Sequence, residues 1–330
     1  MTSRPGEFDL IERIRRRVVA RGDVVLGIGD DAAILDVPAG RQLVVAMDTL
    51  NAGVHFPLDT RPADIGWKAL AVNLSDLAAM GAEPAWCTLS LSMPESNSDW
   101  LDAFVDGFSE LAAMHRIALV GGDTTRGPLS VCVTVHGVVE PGRALRREGA
   151  HVGDDVWVSG TLGDAAASLA LRGIGSVAAP PTVDDRVADA LAARLDRPVP
   201  RVQLGRALVD VATSCIDVSD GLLADIAHIA RASEVAVHID VDALPASDAL
   251  HSAFEDDARR SLQASGGDDY ELCFTAPAAA AARIEAMARD ARIALSRIGT
   301  VDAGAGVTAF DADGRPWTPA RSGFDHFAAR

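Results

Sequence analysis

The sequence predicts two domains, an α+β unit at the N-terminal end and an α/β unit after it. Three observations lead there. At 330 residues the chain is longer than one ordinary hydrophobic core serves. Short runs of β-type residues alternate with segments of helical period throughout. Around 140–153 (EPGRALRREGAHVG) apolar content falls while Pro, Gly and Arg accumulate, which sets the domains at 1–145 and 146–330.

Residues 7–20 carry Phe8, Ile11, Ile14 and Val18 at helical spacing. A strand at 24–28 runs into GDD, and a second, 43–47, ends at Asp48. Pro62 opens a helix that reaches Met80 and stops at Gly81. Residues 86–92 alternate as a half-buried strand, Ser98 can cap a helix over 99–115, and 117–120 is a short strand ending at a GGD loop. With the alternating strand 129–139, this half interleaves helices and strands as a ferredoxin-like unit does. The second half restarts with strand 155–159 and helices near 163–172, 184–195 and 201–211. Strand 213–217, a helix from Ser219 or Asp220 to Ala232, and strands at 235–240, 270–275 and 293–299 follow. The Gly, Ala and Pro-rich tract 171–185 reads as a surface loop.

Composition excludes several functions. With 48% hydrophobic and 23% charged residues the chain is globular, and its net charge of −17 disfavours nucleic acid as a partner. No stretch reaches the length and apolarity of a membrane span, and MTSRPGEFDL lacks a signal core, so a cytoplasmic location is expected. Cys87, Cys132, Cys215 and Cys273 lie far apart in apolar runs, as core residues of a reducing compartment do. Lys68 is the sole lysine and follows Trp67, which excludes a P-loop; HRD and DFG are absent as well.

The chemistry is carried by aspartates set beside glycine or small polar residues: GIGDD (27–31), AMD (46–48), NLSD (73–76), GGDTTRG (121–127), IDVSDG (216–221) and GGDD (266–269). Carboxylates gathered in one cleft repel one another unless cations lie between them. Hard oxygen donors of this kind suit Mg²⁺, which fills its other positions with water and phosphate oxygens. Such a set points to several Mg²⁺ ions on a polyphosphate, and so to ATP. Taken alone, GIGDD reads as an exposed turn more readily than as a ligand. Asp76, inside an apolar helix, is either on a solvated stripe or buried with a partner. GGDTTRG combines amides, a carboxylate and an Arg fork in one loop. In IDVSDG a strand ends at Asp217 and a helix opens at Ser219 or Asp220, where a phosphate–metal pair fits. Asp154-Asp155 reads as a plain turn, and His55, in a Gly-x-His-Phe loop, can touch substrate. Arg146 and Arg147 are either solvated linker charge or phosphate contacts.

In this order the motifs resemble the thiamine-monophosphate kinase family, within the superfamily that includes aminoimidazole ribonucleotide synthetase, selenophosphate synthetase and a hydrogenase-maturation protein. The likeness runs from GEFDLI (6–11) to GFDHF (323–327), and rests most on DIGWKALAVNLSDLAAMGA (64–82) with GGDTTRGPLS (121–130). It implies an N-terminal domain that pairs with its copy in a homodimer to close a β-barrel, and ATP in a cleft lined by both domains. It implies that Asp30, Asp48, Asp76, Asp123, Asp217 and Asp220 ligate the metals and that Gly122, Asp123, Arg147 and Ser219 contact ATP. His55, Asp268 and Phe324 would contact thiamine monophosphate. Two positions depart from the family pattern: Met47 replaces a small hydroxyl residue, and GGDD replaces GGED, so Asp268 reaches less far than Glu.

The activity this implies is direct in-line transfer of the ATP γ-phosphate to thiamine monophosphate, with no residue acting as general base. An acceptor phosphate with a second pKa of about 6 is already an anionic nucleophile. The main obstacle is repulsion between phosphates, about 4 kcal/mol for unit charges 4 Å apart at an effective dielectric of 20. The alternatives are an ATP-using cyclase or dehydratase of the same superfamily, or an acidic protein that only binds cations.

Overall fold

A computed structural model describes residues 6–175, 177–319 and 323. They form two compact units: residues up to Leu77 with Ala82–Ala144, and Leu145 onward with Ala78–Gly81.

In the first unit the chain runs α1 (Glu7–Arg15), β1 (Val24–Leu26), β2 (Ile34–Leu35), β3 (Gln42–Asn51), α2 (Pro62–Ala79), β4 (Glu83–Met93), α3 (Ser98–His115), β5 (Ala118–Arg126) and β6 (Ser130–Val139). The main sheet has the order β3-β6-β4-β5, antiparallel except for the parallel pair β4·β5. This β-α-β-α-β-β order is the one the predicted elements already follow, so it corrects only the ferredoxin-like label, which requires β-α-β-β-α-β. The connection at 127–129 is too short for a helix. It steps across the end of β4, where the Gly127 amide donates to the Met93 carbonyl at 3.0 Å, and delivers β6 to the far side of β4.

Helix α2 buries Leu70, Leu74 and Leu77 as its spacing predicts. It approaches α3 so closely that a Cβ on Gly66 would lie 2.0 Å from the Phe104 carbonyl oxygen, and one on Gly107 1.9 Å from that of Ala63. On the sheet side, a Cβ on Gly137 would meet Leu77 at 3.0 Å, so α2 covers that face of β6. Several boundaries differ from expectation. Helix α1 ends at Arg15, short of Val18, and Asn97 rather than Ser98 caps α3, accepting from the Trp100 amide at 3.1 Å. Strand β3 continues past Asp48 to Asn51, and β5 runs straight through GGDTTR, so that motif is a strand and not a loop. Both extensions follow from ladder partners on neighbouring strands, which local residue type does not reveal.

The second unit runs β7 (Asp154–Ser159), α4 (Asp164–Leu171), α5 (Asp185–Asp196), α6 (Val202–Leu208), β8 (Ser214–Val218), α7 (Leu222–Ser233) and β9 (Ala236–Asp240). It continues with α8 (Asp248–Ala253), α9 (Asp256–Ser265), β10 (Glu271–Pro277), α10 (Ala281–Ala291), β11 (Leu295–Asp302), β12 (Gly306–Phe310) and β13 (Pro316–Trp317). The sheet order is β13-β12-β9-β11-β7-β10-β8, with β9·β12 its parallel pair. Strands β7 and β8 are buried at every position, so both their faces are covered. Leu222, Ile226 and Ile229 of α7 pack with Val156, Ile216 and Val237 of the sheet. A separate cluster joins Ala167, Leu191, Leu250 and Leu262 of α4, α5, α8 and α9.

Asp154-Asp155 is not the plain turn expected. Both residues are buried at the start of β7, where Asp154 accepts from the Thr213 hydroxyl at 2.7 Å and Asp155 pairs with Arg297 at 3.3 Å. The turn itself is made by Gly153, at φ +91°. Cys87, Cys215 and Cys273 are buried free thiols and Cys132 is half-buried.

Candidate active site

The carboxylates of the first unit fall into two groups. Asp48 and Asp76 are linked through Asn73, one turn before Asp76 on α2: its side-chain oxygen accepts the Asp48 amide at 2.9 Å, and its amide group donates to the Ala69 carbonyl. Asn73 is wholly buried and Asp76 half-buried, so Asp76 lies at the margin of the packed helix face. Asp30 and Asp123 lie on elements that pack together. The β1–β2 ribbon packs Val24, Ala33 and Leu35 onto Trp86, Ala118 and Val120. This sets the GIGDD turn beside β5, where a Cβ on Gly27 would lie 3.9 Å from the Val120 carbonyl, three residues before Asp123. Asp30 caps its own turn, accepting the Asp31 amide at 2.8 Å.

The ladder register sets Asp48 and Asp123 in neighbouring rows. Asp48, Val133, Leu89 and Gly122 form one row across the sheet, and Thr49, Cys132, Ser90 and Asp123 the next. Strands β3 and β5 are the opposite edges of this sheet, roughly 14 Å apart at three strand spacings. Gly122 is obligatory: at φ +148° a Cβ there would lie 1.8 Å from the Leu89 carbonyl oxygen. His55 belongs to a closed loop. Its Nδ1 accepts the Asn51 amide at 2.9 Å, and its carbonyl accepts the ammonium of buried Lys68 at 3.0 Å.

In the second unit Asp217, Ser219, Asp220 and Asp268 share one corner. Antiparallel pairing of β8 with β10 aligns Asp217 with Leu272, and continues as the Asp268 amide donates to the Ser219 carbonyl and the Tyr270 amide to Val218, both at 2.8 Å. Glycine permits the contact, since a Cβ on Gly267 would lie 2.5 Å from the Ser219 carbonyl. Gly323 reaches the same corner, its Cβ position 3.0 Å from the Asp220 carbonyl oxygen, while Phe324 lies outside the described residues. Arg147 is exposed. Burial and the charges of Arg147 and Arg231 hold His228 below its ordinary pKa, while Asp220 pulls it up.

The reading of a phosphate at the α7 N-terminus is corrected here. The helix starts at Leu222 with Gly221 as N-cap, and Ser219 makes no cap bond. The amides of Ser219, Asp220 and Gly221 all donate to one oxygen of Asp225, at 3.0, 3.1 and 3.1 Å. The protein's own carboxylate therefore fills the slot where an anion would bind. Burial, then the charges of Asp217 and Asp220, push the Asp225 carboxyl up to about 7. Sequence reasoning missed Asp225, although a carboxylate on the same helical stripe as Leu222 and Ile229 was a usable signal. It also missed Arg194, Arg201, Asp269 and Glu271, which long-range packing brings together and local spacing does not.

Among the described residues no three His, Cys, Asp or Glu side chains are arranged to hold a metal ion, and no helix is long and apolar enough to cross a membrane. The donor set nevertheless suits a hard cation. Burial, then the nearby charges of Asp217 and Asp220, raise the Asp225 carboxyl, and Mg²⁺ needs only one or two protein carboxylates beside phosphate oxygens.

Residues 29–139 match the family model of the AIR synthase related protein N-terminal domain, and 151–312 that of its C-terminal domain. Fold and motifs thus define a two-domain protein of the AIR synthase related class. Thiamine-monophosphate kinase of Escherichia coli K12 is 47% identical, covering 98% of each chain. The crystal structure of thiamine-monophosphate kinase from Stenotrophomonas maltophilia is 55% identical with a TM-score of 0.86, covering 94% of this chain and 98% of that one. The structure of AaThiL complexed with AMPPCP and TMP is 32% identical with a TM-score of 0.74, covering 98% and 97%. Within its class the chain belongs to the thiamine-monophosphate kinase family.

Proposed function

We propose that this protein phosphorylates thiamine monophosphate to thiamine diphosphate by in-line transfer of the γ-phosphate of ATP. The observation that carries this is identity of 47% along 98% of the chain to a kinase of that name. In this reading Asp217 and Asp220 in one unit, and the pairs Asp48–Asp76 and Asp30–Asp123 in the other, hold Mg²⁺. Each group supplies one or two carboxylates, the number such an ion takes. When bound, Mg²⁺ offsets the repulsion between donor and acceptor phosphates. Gly122 lets the β5 backbone approach ATP, which Asp123, Arg147 and the Ser219 hydroxyl contact. The Asp225 carboxylate fills the amides of the SDG turn and so presents Asp217 and Asp220 to a cation rather than to a bare phosphate. His55, Asp268 and Phe324 bind thiamine monophosphate, whose cationic ring suits a carboxylate and an aromatic face. Met47, 62% exposed on β3, contributes at most its backbone.

The reading includes a homodimer and a cytoplasmic location. Leu43, Val45 and Met47 project from one face of edge strand β3, each about half exposed or more, a row that a second copy would cover. The test is direct: incubation with ATP, Mg²⁺ and thiamine monophosphate yields thiamine diphosphate and ADP. Hydrolysis of ATP with no diphosphate formed would favour the cyclase or dehydratase alternative instead. Asp217→Asn lowers turnover by at least about 100-fold with the fold intact; near-normal turnover contradicts the metal assignment.

A further inference from the structure

The loop that carries Asp268 holds a conformation its residues do not favour. Asp268 has φ +69° and Tyr270 φ +51°, two non-glycine residues in the left-handed region within three positions. The surroundings over-determine it. Asp269 is buried, and both its oxygens receive the Gly163 amide, at 2.9 and 3.0 Å. Glu271 is wholly buried and held from three directions: by the Ser159 hydroxyl at 2.5 Å, by Arg194 Nη2 at 2.7 Å, and by Arg201 through Nε at 2.6 Å and Nη2 at 2.5 Å. Between these anchors the Tyr270 hydroxyl donates to Asp268 Oδ1 at 3.1 Å. Tyr270 is the only tyrosine in the chain.

A buried ion pair stabilises a fold little better than apolar side chains of the same volume. Apolar contacts set strand register but are non-directional. A two-pronged guanidinium on a carboxylate adds a fixed direction and so places the strand start, and the loop that ends there, more narrowly. We propose that Glu271, gripped by Arg201 and Arg194, and Tyr270, bonded to the Asp268 carboxylate, are positioning residues that hold Asp268 where it receives the cationic ring of the acceptor. This rests on the assignment of Asp268 to thiamine monophosphate.

The experiment measures KM for thiamine monophosphate and for ATP separately, together with the thermal midpoint, in Asp268→Asn, Tyr270→Phe and Arg201→Lys. Asp268→Asn raises KM for thiamine monophosphate about tenfold or more, the range for a hydrogen-bonded charge, with KM for ATP unchanged. Tyr270→Phe raises the same constant about three- to tenfold. Arg201→Lys keeps the charge but loses the fork, and moves it in the same direction. If Asp268→Asn leaves that constant unchanged, the assignment of Asp268 fails and the proposal with it. If Asp268→Asn raises it while Tyr270→Phe and a folded Arg201→Lys do not, even with a lowered melting point, the assignment stands and the positioning role is overturned. Should Arg201→Lys fail to fold, Tyr270→Phe decides alone.

Discussion

Replacing Asp225 by Asn should make the metal-free protein more stable at alkaline pH. The Asp225 carboxyl rises from 3.8 to about 7 on folding, so the folded state binds its proton more tightly than the unfolded chain. Its contribution to stability is therefore complete below about pH 4, declines as the pH rises toward 7, and is level above that. A shift of about three units corresponds to about 4 kcal/mol, the cost of keeping a buried carboxylate charged beside two others. Asn has no proton to lose, and its oxygen still accepts the amides of Ser219, Asp220 and Gly221. Its NH₂ group replaces an acceptor, at a cost of about 1 kcal/mol. Near pH 5 the two proteins should be similar, with the variant more stable at pH 8 and the difference widening by about 2–3 kcal/mol between them. Urea unfolding with chelator present, at intervals across that range, measures the difference, because titrating groups not coupled to position 225 cancel between parent and variant. A difference that stays constant from pH 5 to pH 8 refutes the reasoning.

Gly122→Ala places a methyl group 1.8 Å from the Leu89 carbonyl oxygen, so β5 must part from β4; a loss of about 3–5 kcal/mol follows, and a loss below about 1 kcal/mol contradicts the close approach. Val45→Lys puts a charge in the middle of the exposed row on β3. Sedimentation should show a dimeric parent and a monomeric variant, and a monomeric parent rules the dimer out. Lys68→Met removes the ammonium donor of the His55 carbonyl, for a loss of about 2 kcal/mol and faster amide exchange at 51–56. Unchanged exchange in that loop would show that Lys68 does not hold it.

The amino-acid order alone determined the family and most helices and strands, because these depend on local periodicity and on short motifs. The helix over 62–79 is legible from Pro62, Gly81 and its leucine stripe, and the match to the thiamine-monophosphate kinases confirms what the motif order implies. Tertiary structure decided what those motifs do in space. GGDTTR is drawn into a parallel ladder by β4, and the 127–129 connection carries β6 to the far side of β4. The amides at the start of α7 go to Asp225 rather than to a ligand. Asp154 and Glu271 exchange solvent for hydroxyl and guanidinium partners 59 and 70 residues away. A carboxylate's partner is set by where the chain returns, and no spacing along the sequence records that.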